Sequence, residues 1–198
     1  MYSPDTPPPD GTAPEPRPLR ADARRNRERL IAAARARLAR GRGPLSLEGV
    51  ARDAGVGIGT LYRHFPTRDA LVGALYAAEL DELAASAAAL LRELPPERAL
   101  RAWVLRYARF AAVKRGMADT LRAAMAAGTI ESSATWARIS AAVGPLLEAG
   151  AREGSLRADV DADDVTAMLL GVSLATAREE GVERTGRLLD LVLDALRP

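Results

Sequence analysis

The sequence predicts an all-α protein in which a small N-terminal three-helix unit precedes a larger helical domain. Apolar residues make up 48% of the 198-residue chain but aromatic residues only 4%. Alanine and leucine, both good helix formers, dominate the apolar set. Apolar positions recur at helical spacing along most of the chain, and a glycine turn joins two short helical patterns between residues 47 and 65. These observations favour helices throughout, with a helix-turn-helix outline near the N-terminus.

Composition also narrows the classes of function. The chain contains no cysteine, so neither a disulfide framework nor a thiolate zinc site is expected. No segment reaches the roughly 18 apolar residues that a membrane span needs, and the N-terminus is polar rather than a signal peptide. We therefore expect a cytoplasmic protein with no membrane partner, no metal and no cofactor.

Positive charge is concentrated in one segment of the chain. The formal net charge is +2, but residues 17–68 carry 13 arginines against 4 acidic residues. Residues 1–16 and 69–198 are both net negative. A basic segment displaces counterions from phosphates when it binds DNA, so this distribution predicts a salt-dependent affinity for nucleic acid.

The first 18 residues contain seven prolines and few apolar side chains, which predicts a disordered tail over residues 1–18. A first helix is expected from about residue 21 to residue 40, with an apolar stripe around Leu30. Arg24, Arg25 and Arg27 lie near the start of this helix. They are either solvated surface residues or contacts to the DNA backbone or minor groove.

Residues 47–71 carry the most specific pattern in the chain. Gly55 is expected to end a short helix, because glycine readily adopts a positive φ. Leu61 and Phe65 are four residues apart and therefore share the buried side of a second helix. Thr67 can cap the helix that follows. Helix, glycine turn and helix is the outline of the helix-turn-helix, whose second helix enters the major groove of DNA.

The outward face of that second helix carries hydrogen-bond donors and no acid, which suits contacts to phosphates and base edges. Two glycines, Gly57 and Gly59, are poor choices in a helix unless something approaches the backbone closely. The outward residues are Ile58, Thr60, Tyr62, Arg63 and His64.

Residues 54–71, AGVGIGTLYRHFPTRDAL, resemble the signature of TetR-family transcriptional regulators. The likeness is dense from about residue 24 to residue 75. The remainder is similar to the family in length and helical layout, with some likeness to SbtR-like ligand domains. The resemblance implies a DNA-binding domain at 19–67 and a ligand-binding and dimerisation domain at 68–198.

The resemblance also implies particular DNA contacts. Ser46 stands where the family has a Thr or Ser whose hydroxyl contacts phosphate, and it can also cap the second helix. Gly57 departs from the family, which usually has Ser at the start of the recognition helix. Arg68, at the start of the next helix, would anchor a phosphate. The expected DNA-contacting residues are Arg24, Arg25, Ser46, Gly57, Ile58, Gly59, Thr60, Tyr62, Arg63, His64 and Arg68.

A long helix is expected at about 68–94, followed by a helix from residue 97 that concentrates aromatic side chains in one stripe. The stripe is either core packing or the wall of an inducer pocket, since such pockets are mostly apolar with a few polar groups. The two interpretations are compatible. The candidate pocket residues are Trp103, Tyr107, Phe110, Met125, Trp136 and Met168.

Two sequence features interrupt the later helices. Gly144 and Pro145 lie within the seventh helical pattern, which predicts a kink or a break there. Residues 159–164 are rich in aspartate, but a calcium-binding EF-hand would need Gly and Glu where Asp164 and Leu170 stand. The acids are interpreted instead as an N-cap and as favourable charges at a helix N-terminus.

The last two helices, expected at about 162–178 and 183–196, have wide apolar stripes. These stripes could simply complete the core. In TetR-like proteins, however, the last two helices pair with their symmetry mates as a four-helix dimer interface. The candidate interface residues are Val165, Leu169, Val172, Leu189, Val192, Leu193 and Leu196.

The resemblance implies a homodimeric regulator, most often a repressor, that binds a pseudo-palindromic operator in double-stranded DNA and is released by a small molecule. Activation is an alternative, because the sign depends on operator position. A helical enzyme is disfavoured: the one histidine, His64, lies in the motif and no acid pair stands out. An architectural DNA binder that senses nothing is a third possibility, which a ligand-induced shift in melting temperature would distinguish.

Overall fold

The structure, a computed structural model, describes residues 17–40, 45–128, 130–177 and 182–198. Over these residues the chain is all α-helical, as the sequence predicts. The helices are α1 (Arg17–Ala39), α2 (Leu47–Ala54), α3 (Ile58–His64), α4 (Arg68–Glu93), α5 (Pro96–Arg115), α6 (Ala118–Ala126), α7 (Ser132–Glu153), α8 (Ala162–Ala175) and α9 (Val182–Ala195).

Helices α1 to α3 pack with the start of α4 as a small N-terminal head. Its core contains Leu30, Val50, Leu61 and Leu71, each with 0% of its surface exposed. One residue is contributed by each of the four helices, so the head is held together by apolar contacts between all of them. As predicted, Phe65 is buried beside Leu61.

Local signals in the sequence set the ends of the short helices. The Ser46 hydroxyl accepts a hydrogen bond from the backbone N–H of Gly49 at 3.1 Å, and Thr67 accepts one from Ala70 at 3.1 Å. These bonds satisfy amide groups that a helix start leaves without partners. Gly55 ends α2 with φ of 65°, a left-handed conformation that favours glycine. The three predicted helix boundaries are therefore confirmed.

An arginine on α1 connects the head to the middle of α4. The Arg35 guanidinium forms ion pairs with Glu79 and, at 2.8 Å, with Glu82. The two carboxylates are three residues apart and so project from the same side of α4. A second arginine on α1, Arg37, lies 3.0 Å from the Asp53 carboxylate, which fixes α1 against α2.

The C-terminal body is built around α4, α5 and α7, with α8 and α9 packed on one side. Trp103 of α5 is completely buried, and its indole N–H donates to the backbone carbonyl of Leu83 on α4 at 3.1 Å. Val143 and Leu146 on α7 are also fully buried. The long α4 thus belongs to both cores and joins head to body.

Two predicted features of the chain need correction. Helix α1 begins at Arg17, within the segment that was expected to be a tail, while residues 1–16 lie outside the described residues. Helix α7 continues through Pro145, so the break that was one of the two predicted alternatives, a kink or a break, is wrong. Pro145 and Ala141, whose carbonyl loses its helical partner, are both exposed, so water can satisfy that carbonyl.

The aspartates before α8 act differently from the predicted cap. Asp161 occupies the N-cap position, but its side chain makes no capping hydrogen bond. Asp163, in the first turn, instead accepts hydrogen bonds from the indole N–H of Trp136 at 2.9 Å and from the hydroxyl of Ser140 at 2.5 Å. These bonds lower the pKa of Asp163 and join α8 to α7. The favourable placement of acids in the first turn is confirmed, whereas the side-chain cap is not.

None of the described helices is long and apolar enough to cross a membrane. In the same part of the chain, no three acidic, histidine or cysteine side chains come together as a possible metal site.

Candidate functional site

Helix α3 presents an exposed polar face on the surface of the head. Ile58 and Tyr62 are 41% and 45% exposed, and Arg63 is also exposed. Thr60 and His64 are half-buried. Within α3 only Leu61 is buried, so nearly the whole helix is available to a partner.

No side chain covers the backbone at Gly57 and Gly59, at the start of α3. Gly57 occupies the N-cap with an extended φ of −66° and no side-chain hydrogen bond. A Cβ built on Gly57 or on Gly59 would meet nothing within 4 Å. Packing within the chain therefore does not require glycine at either position. The open space fits a ligand that approaches the backbone closely.

Basic side chains are also exposed on α1 and α4, the helices that adjoin α3 in the head. Arg24 and Arg25 on α1 are exposed and take part in ion pairs with Glu28 and Asp22 within their own helix. Arg68 is exposed in the first turn of α4. Pairs as exposed as these contribute little to stability, so the arginines can exchange an acidic partner for phosphate at small cost.

Ser46 is already engaged by its own helix. While its oxygen accepts the Gly49 amide, its hydroxyl donates to the Glu48 carboxylate at 3.0 Å. Hydrogen bonds from the Glu48 backbone and from Ser46 lower the pKa of Glu48. A phosphate contact from Ser46 would require the hydroxyl proton to leave Glu48.

The Arg27 side chain makes a contact with Phe65 that the sequence did not reveal. Its guanidinium lies 5.4 Å from the centroid of the Phe65 ring, the residue that ends α3. This cation–π contact secures the C-terminal end of α3 against α1. Arg27 is exposed like Arg24 and Arg25, but it differs from them in its contact with the aromatic residue that ends α3.

A cavity of about 510 Å³ lies in the body between α5, α6, α7 and α8. This volume is within the usual range for small-molecule sites. Its wall is mainly apolar, and the polar side chains on it include Tyr107, Lys114, Thr135 and Ser173. The apolar residues of the wall are Phe110, Ala111, Ala118, Leu121, Met125, Trp136, Ile139, Leu170, Leu174 and Ala177.

Several of these polar groups already have partners within the protein. Thr135 shares a 2.9 Å hydrogen bond with the hydroxyl of Tyr76. Ser173 donates to the carbonyl of Leu169 at 3.0 Å and lies 3.4 Å from the Tyr107 hydroxyl. Because Ser173 has one proton and the Leu169 contact is shorter, Tyr107 keeps its own proton available. Burial raises the pKa of Tyr107, so it is a neutral donor.

Comparison with known proteins identifies the family. A family model described as bacterial regulatory proteins of the tetR family matches residues 30–75. A second, described as the C-terminal domain of SbtR-like transcriptional regulators, matches residues 95–198. The TetR transcriptional regulator SCO0520 from Streptomyces coelicolor is 45% identical, with a TM-score of 0.77, over 87% of this chain and 98% of that one. The chain belongs to the TetR family.

A TetR regulatory protein from Mycobacterium vanbaalenii is also similar, at 33% identity and a TM-score of 0.71 over 91% of this chain and 100% of that one. No curated protein matches the chain. TetR-family proteins are transcriptional regulators and not enzymes. The protein is accordingly a DNA-binding regulator of transcription, and α2 and α3 form its helix-turn-helix.

The predicted pocket residues of this TetR-family protein divide into two groups. Tyr107, Phe110, Met125 and Trp136 line the cavity. Trp103 does not, because its indole is enclosed between α5 and α4. Met168 does not line the cavity either; it packs half-buried against the core. The periodicity of an apolar stripe does not distinguish a cavity wall from the core behind it.

The predicted interface residues lie mainly in the core of their own chain. Six of them are at most 9% exposed, which leaves them little surface for a partner; they are Val165, Leu169, Leu189, Val192, Leu193 and Leu196. The seventh, Val172, is partly buried against the same core. The most apolar face of each terminal helix packs on its own chain, because that is the first surface available to it. Exposed leucines lie elsewhere on the same helices, with Leu174 67% and Leu191 64% exposed.

Proposed function

We propose that this TetR-family regulator binds an inverted-repeat operator as a homodimer, represses transcription there, and is released when a small molecule enters the body. The observation that carries the proposal is the exposed face of α3, where donors stand beside a backbone that no side chain covers. Arg63 is suited to guanine, since a guanidinium donates two parallel hydrogen bonds to that base. Tyr62, Thr60 and His64 are suited to phosphates and base edges. Because its partner is DNA, we place its action in the cytoplasm.

Flanking side chains extend this surface. Arg24, Arg25 and Arg68 are exposed around α3 and would contact the DNA backbone. They position the head without reading sequence, whereas contacts from α3 supply specificity. The proposed DNA-binding domain is 19–67. Helix α4 then begins the ligand-binding and dimerisation domain, 68–198.

A homodimer is favoured by the exposed sides of α8 and α9. Leu174 and Leu191 are large apolar side chains in water on these helices. Around Leu174, the exposed residues Ala167, Gly171 and Ala175 are small, which would let a second helix approach closely. A two-fold dimer would present two copies of α3 to successive major grooves, as helix-turn-helix dimers do.

The position of the cavity supports release by a small molecule. Its wall includes Leu170, Ser173 and Leu174 of α8, the helix that also carries the proposed dimer face. A ligand that binds better when the two heads are set apart would weaken DNA binding by that difference in affinity. Helix α4 is continuous from the head into the body and can carry the change in separation.

The experiment that tests this proposal is recovery of genomic DNA fragments by the purified protein at two salt concentrations, followed by sequencing. A few sites that share an inverted repeat and survive the higher salt would support a sequence-specific dimer. Diffuse recovery that disappears with salt would reduce the interaction to charge alone and contradict the proposal. Transcription from a promoter that carries a recovered site then separates repression from activation.

A further inference from the structure

The chain contains one lysine. Of its 28 basic residues, 27 are arginine, and the exception is Lys114. Lys114 lies in the last turn of α5, half-buried, on the wall of the 510 Å³ cavity. A lysine ammonium is a compact charge on a flexible apolar stem, which can follow a small ligand group inside a cavity better than a planar guanidinium can.

The ammonium of Lys114 has no carboxylate partner among the described residues, where the ion pairs involve arginine alone. Burial lowers the pKa of Lys114, and no attractive charge opposes that effect. An ammonium that is partly removed from water without a counter-ion is destabilised. An anion placed beside it would remove that cost.

The other charged residues on the cavity wall are positive as well. Arg115 and Arg122 also line it, and none of its described lining residues is an aspartate or a glutamate. Two described acids on the same helices already have partners: Asp119 pairs with Arg122 at 2.9 Å, and Asp163 accepts hydrogen bonds from the indole N–H of Trp136 and the hydroxyl of Ser140. The cavity is therefore cationic at the α5–α6 end.

Away from Lys114 the wall is apolar. Phe110, Leu121, Met125, Ile139 and Leu170 surround the space, and Trp136 is held in place by Asp163. The hydroxyl of Tyr107 is a buried donor on the same wall. The cavity thus combines an extended apolar surface with a positive charge and a neutral donor.

We propose that the cavity takes an amphipathic organic acid, whose carboxylate pairs with Lys114 and whose hydrocarbon part packs between α5, α6, α7 and α8. This inference rests on the proposed ligand response and adds the chemical class of the ligand. An organic cation is disfavoured because it would bring a further positive charge to Lys114 and Arg115. A neutral apolar molecule would bury the ammonium further without pairing it.

Three probes that share a ten-carbon chain test the assignment: decanoate, decanol and decylamine. Binding to the full-length protein is measured by isothermal titration and by the shift in melting temperature. Decanoate is expected to bind at least about tenfold more tightly than decanol, the difference that one charge-assisted hydrogen bond supplies, and decylamine more weakly than either.

The single lysine also provides a direct readout of position. Reductive methylation with ¹³C labels Lys114 and the α-amino group of the chain, which gives two resonances in an NMR spectrum. Decanoate is expected to shift the lysine resonance and leave the α-amino resonance unchanged. Decanoate binding without a shift at Lys114 would place the carboxylate elsewhere and overturn the proposal.

A matched pair of variants completes the test. Lys114→Met keeps the apolar stem and removes the charge, so decanoate affinity should fall by about tenfold to a hundredfold while decanol affinity stays within a factor of about two. Arg98→Gln removes the same charge from an exposed position on α5 that does not line the cavity, and it should leave both affinities unchanged.

The outcomes separate this inference from the proposed function. Equal or tighter binding of decanol or decylamine, or no binding of any probe up to its solubility limit, overturns the organic acid. Recovery of inverted-repeat DNA by the unliganded protein does not depend on the cavity, so it would still support the regulator. Loss of DNA binding together with normal decanoate binding would contradict the regulator and leave the acid site standing.

Discussion

The head and the body of this protein hold their functional residues in opposite ways. In the head, the side chains suited to DNA lie on one seven-residue helix and are exposed to solvent. In the body, the residues suited to a ligand come from four helices and line a cavity. Substitutions on the face of α3 should therefore change binding without changing stability. In the body, stability and binding are separable only where a side chain faces the cavity and not the core.

The largest effect is expected from Trp103→Ala. The side chain is fully buried and makes an indole hydrogen bond to α4, so its removal should lower the free energy of unfolding by about 3–5 kcal/mol. Urea denaturation measures this loss. Trp136→Ala is the control within the body, because Trp136 is half-buried on the cavity wall. A small loss for Trp103→Ala would mean that this side chain is not core and would restore it as a pocket residue.

The second-largest effect is expected from Leu191→Arg, which tests the proposed dimer face. Burying a leucine at an interface contributes about 1.5–3 kcal/mol, and an arginine in its place adds a like charge across the two-fold axis. The dimer should dissociate in light scattering while circular dichroism stays helical. Ala88→Arg adds the same charge to an exposed position on α4 and should leave the dimer intact. An unchanged mass for Leu191→Arg would remove α9 from the interface.

Tyr62→Ala should weaken DNA binding by about 1–3 kcal/mol, the amount carried by one good contact. The melting temperature should stay within a degree or two, because the side chain is exposed. Fluorescence anisotropy with a recovered operator measures the affinity. If the variant lost folded protein in place of affinity, Tyr62 would belong to the core, and the contrast between head and body would fail.

The smallest effect is expected from Gly57→Ser. The N-cap of α3 has an extended backbone and open space, so a serine can adopt the conformation and cap the helix. This cap should raise the free energy of unfolding by about 0.3 kcal/mol. Its hydroxyl could also donate to phosphate and raise operator affinity. Gly57→Ala supplies the Cβ without the hydroxyl and is the control. Weaker DNA binding by both variants would show that the backbone at Gly57 is itself in contact with DNA.

Sequence reasoning succeeded where the signal was local. The caps at Ser46 and Thr67 and the turn at Gly55 involve residues within four positions of one another, and each is confirmed by its hydrogen bonds or its φ. The helix-turn-helix is built from such signals. The head could therefore be predicted almost completely.

The body could be predicted only in outline, because its site depends on contacts between distant segments. An apolar stripe at helical spacing predicts burial but not what covers it, so Trp103 and Tyr107 look equivalent in the sequence although only Tyr107 reaches the cavity. For the same reason the sequence left open whether the apolar stripes of α8 and α9 complete the core or meet a partner, whereas in the structure they pack on their own chain. Lys114 was missed, although its uniqueness in an arginine-rich sequence was a usable signal.

The contact of Arg35 with Glu79 and Glu82 determines which movements of α4 the head can follow. Each residue of a helix turns the axis by about 100°, so both carboxylates stay on Arg35 only while α4 keeps its rotational setting. Torque about the axis of α4 would separate both ion pairs together, whereas a tilt of α4 that carries α1 along preserves them. The ion pairs therefore oppose rotation of α4 against α1 and do not oppose a tilt that both helices share. Because Arg35 is partly exposed, that resistance to rotation declines as salt screens the charges.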